Sequence, residues 1–124
     1  PTMHLLSVGN PHAIIQRQGR SQKDCTHLAH QIQSHSAFPQ GINVGFVTVH
    51  PEHIDLIVYE RGAGWTQACG SGACAAAWVS TRGVTEFSVM VDQPGGCLTV
   101  QSKGGHLILI GPAEWVYEGQ LPID

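Results

Sequence analysis

The chain has 124 residues, 42% of them apolar, and six basic against nine acidic side chains give a formal charge of −3. That is enough for one domain with its own core and too apolar for disorder, and the few cations form no basic stripe of the kind nucleic acid requires. No apolar run approaches the roughly 20 residues of a membrane helix, no signal peptide is read, and the start at Pro1-Thr2-Met3 is expected to reflect processing or origin in a longer polypeptide.

In chain order, Met3–Val8 and Ala13–Gln16 read as short strands around a Gly9-Asn10-Pro11-His12 turn. Gly19–Lys23 reads as a loop. Asp24 is expected to cap a helix over Cys25–Ser34, with Leu28 and Ile32 on one face. Phe38-Pro39-Gln40-Gly41 follows it as a break. Ile42–Val49 and Ile54–Glu60 read as strands joined by the polar stretch His50–His53. A second helix is expected from Cys69 to Thr81, with Gly83 as its stop. Its small residues, Ala73, Ala75, Ala76 and Ala77, suit close packing on every side. Val84–Val91, Cys97–Gln101, His106–Ile110 and Glu114–Tyr117 then read as strands, with turns at Pro94-Gly95-Gly96 and Lys103-Gly104-Gly105. The expectation is a single α+β domain over residues 1–124: a curved, mostly antiparallel sheet or barrel wrapped around a central helix.

The four cysteines, Cys25, Cys69, Cys74 and Cys97, fit no zinc spacing and form no Cys-x-x-Cys. Reduced thiols in a cytoplasmic protein are expected. His27, His30 and His35 have helical spacing but no convincing acidic or thiol partner, so they read as a polar helix face, and no metal site is expected.

The informative run is Tyr59–Ala77, which sets Cys69 in a glycine-rich turn opening into the alanine-rich helix. Unpaired N–H groups at a helix start favour thiolates and carboxylates. Gly70 and Gly72 permit close approach of a ligand to the backbone. Cys74, five residues on, faces elsewhere on the helix and reads with Cys25 and Cys97 as core. Cys69 as an inert buried thiol, and Glu60 and Arg61 as solvated strand-end charges, are the alternatives.

Glu60-Arg61-Gly62-Ala63-Gly64 and Ala68-Cys69-Gly70-Ser71-Gly72-Ala73-Cys74-Ala75 resemble the second cysteine motif of the diaminopimelate epimerase family. Gly9-Asn10-Pro11-His12-Ala13, Gly41-Ile42-Asn43-Val44-Gly45-Phe46, Gln93-Pro94-Gly95-Gly96 and the ending Gly111-Pro112-Ala113 to Tyr117-Glu118-Gly119 resemble further motifs in the family's order. The resemblance implies the C-terminal half of a two-domain isomerase. Its absent N-terminal domain would carry the other cysteine, and the two halves would close a cleft. The pair would interconvert LL- and meso-diaminopimelate, in lysine and peptidoglycan biosynthesis, without pyridoxal phosphate or any other cofactor. Inversion at an α-carbon needs a base on one face and an acid on the other.

On this resemblance Cys69 is one acid/base group, with His12 and Glu60 near the reacting centre. Gly70 and Ser71 would hold the α-carboxylate, Ser71 also being a candidate helix cap. Arg61, which can grip a carboxylate with two hydrogen bonds, Glu60, Asn10 and Asn43 would bind the substrate. Structural side-chain bonds are the alternative for His12, Asn10 and Asn43. The resemblance departs at Trp65, where the family typically has a glutamate; a contact there with substrate or partner domain would alter affinity. An isolated half is expected to be inactive and to self-associate through its uncovered face. Competing readings are a proline racemase-like or phenazine-biosynthesis-like enzyme, and a non-catalytic ligand-binding module.

Overall fold

The computed structural model describes residues 2–81, 84–111 and 116–120, the last as backbone only. Nine strands form one sheet: β1 (Met3–Ser7), β2 (Pro11–Gln16), β3 (Asn43–Val49), β4 (His53–Glu60), β5 (Gly64–Thr66), β6 (Phe87–Gln93), β7 (Gly96–Lys103), β8 (His106–Ile110) and β9 (Val116–Gln120). The helices are α1 (Gln22–Gln33) and α2 (Gly70–Thr81). Strand order is β1-β2-β3-β4-β6-β7-β8-β9, with β5 paired to β4.

Most pairs are antiparallel, as expected, but β2–β3 and β4–β6 are parallel. Each parallel pair is joined through a helix, α1 in the first case and α2 in the second, because a crossover is needed to re-enter a sheet in the same direction. Residue alternation divides the core between the two faces. Ile14, Val47, Leu56 and Val58 pack with the alanines of α2, whereas Ala13, Ile15, Val44 and Phe46 pack with Cys25, Ala29 and Ile32 of α1. β3 lies between both helices, which is why its stretch Val44-Gly45-Phe46-Val47 is an unbroken apolar run. α2 contacts β1, β2, β3, β4, β6, β7 and β8, so the sheet does curl around a central helix.

Several boundaries differ from the sequence reading. Ser21 caps α1, its hydroxyl accepting the Asp24 N–H at 3.1 Å, and Asp24 sits in the first turn instead. Both residue types cap; Ser21 wins because its backbone is extended, the conformation a cap requires. β2 begins at Pro11, so the turn is shorter than its composition suggested, and β6 begins only at Phe87. The expected stop at Gly83 and the residues Glu114 and Trp115 lie outside the described residues.

Candidate active site

Cys69 immediately precedes α2 and acts as its cap. Its sulfur accepts the Gly72 N–H at 3.3 Å, and its carbonyl accepts the Ala73 N–H at 2.9 Å. The sequence offered Ser71 for this role; the structure gives it to Cys69. A cap must lie just before the first helical residue to reach the third N–H, and Ser71 is already within the helix. The N–H groups of Gly70 and Ser71 meet no acceptor among the described residues.

Gly72 has no room for a side chain. A Cβ there would lie 2.9 Å from Val58 Cγ2 and 3.1 Å from Cys69 Sγ, so the glycine lets α2 seat on β4 with the thiol tucked over its first turn. Gln93, at the end of β6, fixes the Cys69 peptide from the other side. Its Oε1 accepts the Cys69 N–H at 3.0 Å and its Nε2 donates to the Cys69 carbonyl at 3.3 Å. The adjoining turn helps, since the Gly95 N–H donates to the Gln67 carbonyl at 2.7 Å. The sequence reading took Gln93 only as part of the family-like motif Gln93-Pro94-Gly95-Gly96. Its signal was a polar residue in register with the inward-facing Val91.

Ser71 points toward the sheet. Its Oγ lies 3.6 Å from Cys69 Sγ and 3.1 Å from His12 Nε2, and that nitrogen is also 3.3 Å from Asn10 Oδ1. His12 is fully buried, and burial pushes its pKa down to about 4, so the ring is neutral at ordinary pH. Its Nδ1 has no partner among the described residues. The ring proton therefore belongs on Nε2, between Asn10 and Ser71, because a buried N–H without a partner is more costly than a bare lone pair. The Ser71 hydroxyl is then free to donate to the Cys69 sulfur.

Strand register gathers the next group. His12 pairs with Asn43, and the antiparallel step beyond Val44–Tyr59 sets Asn43 opposite Glu60. His12, Asn43 and Glu60 thus form a row across β2, β3 and β4 on the α2 face. The buried Asn43 accepts the Arg61 N–H on its Oδ1 at 3.0 Å, the structural bond named as its alternative. The Arg61 guanidinium is exposed, donates to the Gln40 carbonyl at 3.0 Å and packs its stem over Gly41. The Glu60 carboxylate makes no hydrogen bond among the described residues. Beside the helix start, a depression of about 350 Å³ is lined by Ala68, Gly70, Gly95, Cys97, Leu98 and Gly111.

The other thiols stand apart. Cys74 is buried in the α2 core, and burial with the nearby Cys69 pushes its pKa up to about 11. Cys25 is buried beneath α1, and burial raises its pKa. Cys97, expected in the core, is only half-buried on β7, on the face opposite the one whose Val100 and Ser102 are buried. Trp65 lies on the α1 side. Its indole donates to Thr26 Oγ1 at 2.9 Å and stacks edge-on against Tyr59 at 5.1 Å, away from Cys69.

The sequence profile of diaminopimelate epimerase matches residues 4–116. The chain belongs to the diaminopimelate epimerase family. A curated relative from Alkalilimnicola ehrlichii, named diaminopimelate epimerase, is 47% identical over 123 residues, covering 96% of this chain and 44% of that protein. The chain thus spans less than half the length of this family member. Two solved structures share the fold at 16% identity. A phenazine biosynthesis PhzF family protein of Enterococcus faecalis superposes with a TM-score of 0.70 over 86% of this chain and 42% of that one. A protein of Clostridium difficile described as a phenazine biosynthesis PhzC/PhzF protein gives 0.69 over 87% and 43%. The order of family motifs along this chain maps onto one folded unit: the turn motif supplies Asn10 and His12, β3 supplies Asn43, β4 supplies Glu60, and the α2 start supplies Cys69.

Proposed function

We propose that this chain supplies one acid/base face of a cofactor-independent amino-acid epimerase that interconverts LL- and meso-diaminopimelate. The observation that carries this reading is the Cys69 sulfur at the start of α2, with the Gly72 N–H and the Ser71 hydroxyl both directed at it. A thiolate, which only accepts hydrogen bonds, uses both donors. As base it takes the proton from the substrate α-carbon, leaving a carbanion-like centre. A thiol on the opposite face, from an N-terminal domain, delivers a proton there and inverts the centre. Proton exchange with solvent, or a turnover of the opposite epimer, then returns both thiols to their starting states.

The N–H groups of Gly70 and Ser71, which meet no acceptor among the described residues, hold the α-carboxylate, and their positive potential lowers the energy of charge building up beside it. Glu60 accepts from the substrate ammonium. Asn10, Asn43 and Arg61 serve the distal end of the substrate, Arg61 after leaving the Gln40 carbonyl. His12 acts through Ser71, holding its hydroxyl toward the sulfur. The isolated chain has little or no turnover, because enclosure by a second wall supplies much of the affinity for a small ligand. It self-associates, its edge strand β1 exposing Leu5 and Met3. A cytoplasmic location suits reduced thiols.

The test is deuterium incorporation at the α-carbon of meso-diaminopimelate in heavy water, with this chain alone and mixed with a separately expressed N-terminal domain. Exchange in the mixture, abolished by Cys69→Ala with the fold intact, is the expected result. Unchanged exchange in Cys69→Ala would overturn the assignment.

A further inference from the structure

At the other end of β4, three side chains that no epimerase step uses converge. His50 follows β3, its N–H closing a tight hairpin onto the His53 carbonyl at 2.8 Å through Pro51 and Glu52. His53 and Asp55 are two residues apart on β4 and project from one face. His50 Nε2 lies 2.8 Å from Asp55 Oδ2, and His53 Nε2 lies 3.0 Å from Asp55 Oδ1. The two imidazoles stack with centroids 4.5 Å apart and planes 15° from parallel. One ligand atom from each residue falls within 4.8 Å of the others.

We infer that His50, His53 and Asp55 form a binding site for a divalent transition-metal ion of the zinc class. Zinc sits about 2.0 Å from an imidazole nitrogen, in the plane of the ring. The two rings therefore turn out of their near-parallel stack, and the carboxylate draws back, to bring the three ligand atoms onto one ion. Each ring moves its proton to Nδ1 and offers the Nε2 lone pair. The ion satisfies three acceptors at once, whereas two cationic rings stacked this closely would repel each other. Two imidazoles and one carboxylate select zinc, nickel or copper over calcium or magnesium.

The surroundings carry acidic groups, and Arg17 lines a depression shared with Asp55 and Asp92. Strand register sets Asp92 beside Asp55, and a depression of about 310 Å³ next to the cluster is lined by Glu52, His53, Met90, Asp92 and Cys97. All three ligands are partly exposed, at 37–49% of their side-chain surface, so an ion can enter without unfolding. His53 and Asp55 project from the face of β4 opposite the α2 core, so failure of the site would leave the reading of Cys69 untouched.

The experiment is calorimetric titration of tag-free protein with Zn²⁺, and absorption spectroscopy with Co²⁺ in its place. One ion per chain is expected, with tetrahedral cobalt bands and no thiolate-to-metal charge transfer. His50→Gln and His53→Gln should each weaken binding at least tenfold, while Cys97→Ser leaves it unchanged; circular dichroism checks the fold of each. No saturable binding, binding unchanged in His50→Gln and His53→Gln, or a thiolate charge-transfer band lost in Cys97→Ser would each overturn the site.

Discussion

The sulfur of Cys69 caps the central helix by accepting the Gly72 N–H at 3.3 Å, while a Cβ on Gly72 would lie 3.1 Å from that same sulfur. One glycine thus supplies the hydrogen bond and the space that hold the thiol. Gly72→Ala should destabilise the protein by about 1–3 kcal/mol through overpacking. Val58→Ala, which removes the methyl group 2.9 Å from the new Cβ, should recover part of that loss. Denaturant midpoints of the two single variants and the double variant read this out, and strictly additive losses would count against the contact.

Gln93 holds the Cys69 peptide with two hydrogen bonds while itself buried. Gln93→Leu should cost about 1–3 kcal/mol, because it leaves a polar backbone group in the interior unpartnered. The alkylation rate of Cys69 by iodoacetamide should also change, since the clamp fixes the sulfur against α2. An unchanged rate and an unchanged unfolding midpoint would show that the clamp is dispensable.

His12 predicts an acid limit. Its pKa is pushed from 6.5 down to about 4 in the folded protein by burial. Between those values the unfolded chain binds the proton and the folded one does not. The stability is therefore fully present above pH 6.5 and is lost as pH falls toward 4. The total is roughly 3 kcal/mol, at about 1.4 kcal/mol for each pH unit separating the two values. Unfolding free energies of wild type and His12→Gln, followed from neutral pH to below the folded pKa, check this. The variant should lack the component lost between pH 6.5 and 4.

Trp65, where the family resemblance leads to the expectation of a glutamate, packs with Tyr59, Phe46 and Thr26 on the α1 face. Trp65→Glu should destabilise by about 2–4 kcal/mol, from lost burial and an unpaired carboxylate against an apolar cluster. Cys69 alkylation should stay at the wild-type rate. A change in that rate without loss of stability would place position 65 in the site after all.

What local patterns encode was legible along the chain. Alternation and turn residues marked the strands, small residues marked a helix buried on all sides, and the glycine setting singled out Cys69 from four thiols. The motif order pointed to the family, because those residues are fixed one by one along the chain. Everything that depends on a neighbour remote in sequence waited for the folded molecule. Spacing cannot tell whether Ser71 caps its helix or faces His12, because the answer lies with a residue 59 positions away. It cannot show that Gln93 clamps Cys69 from another strand, nor to which face Trp65 turns. Two parallel pairs were hidden because direction in a sheet is set by the crossover helix, not by the strand's own residues. His50 and His53 read as an ordinary polar turn until the hairpin stacked their rings over Asp55.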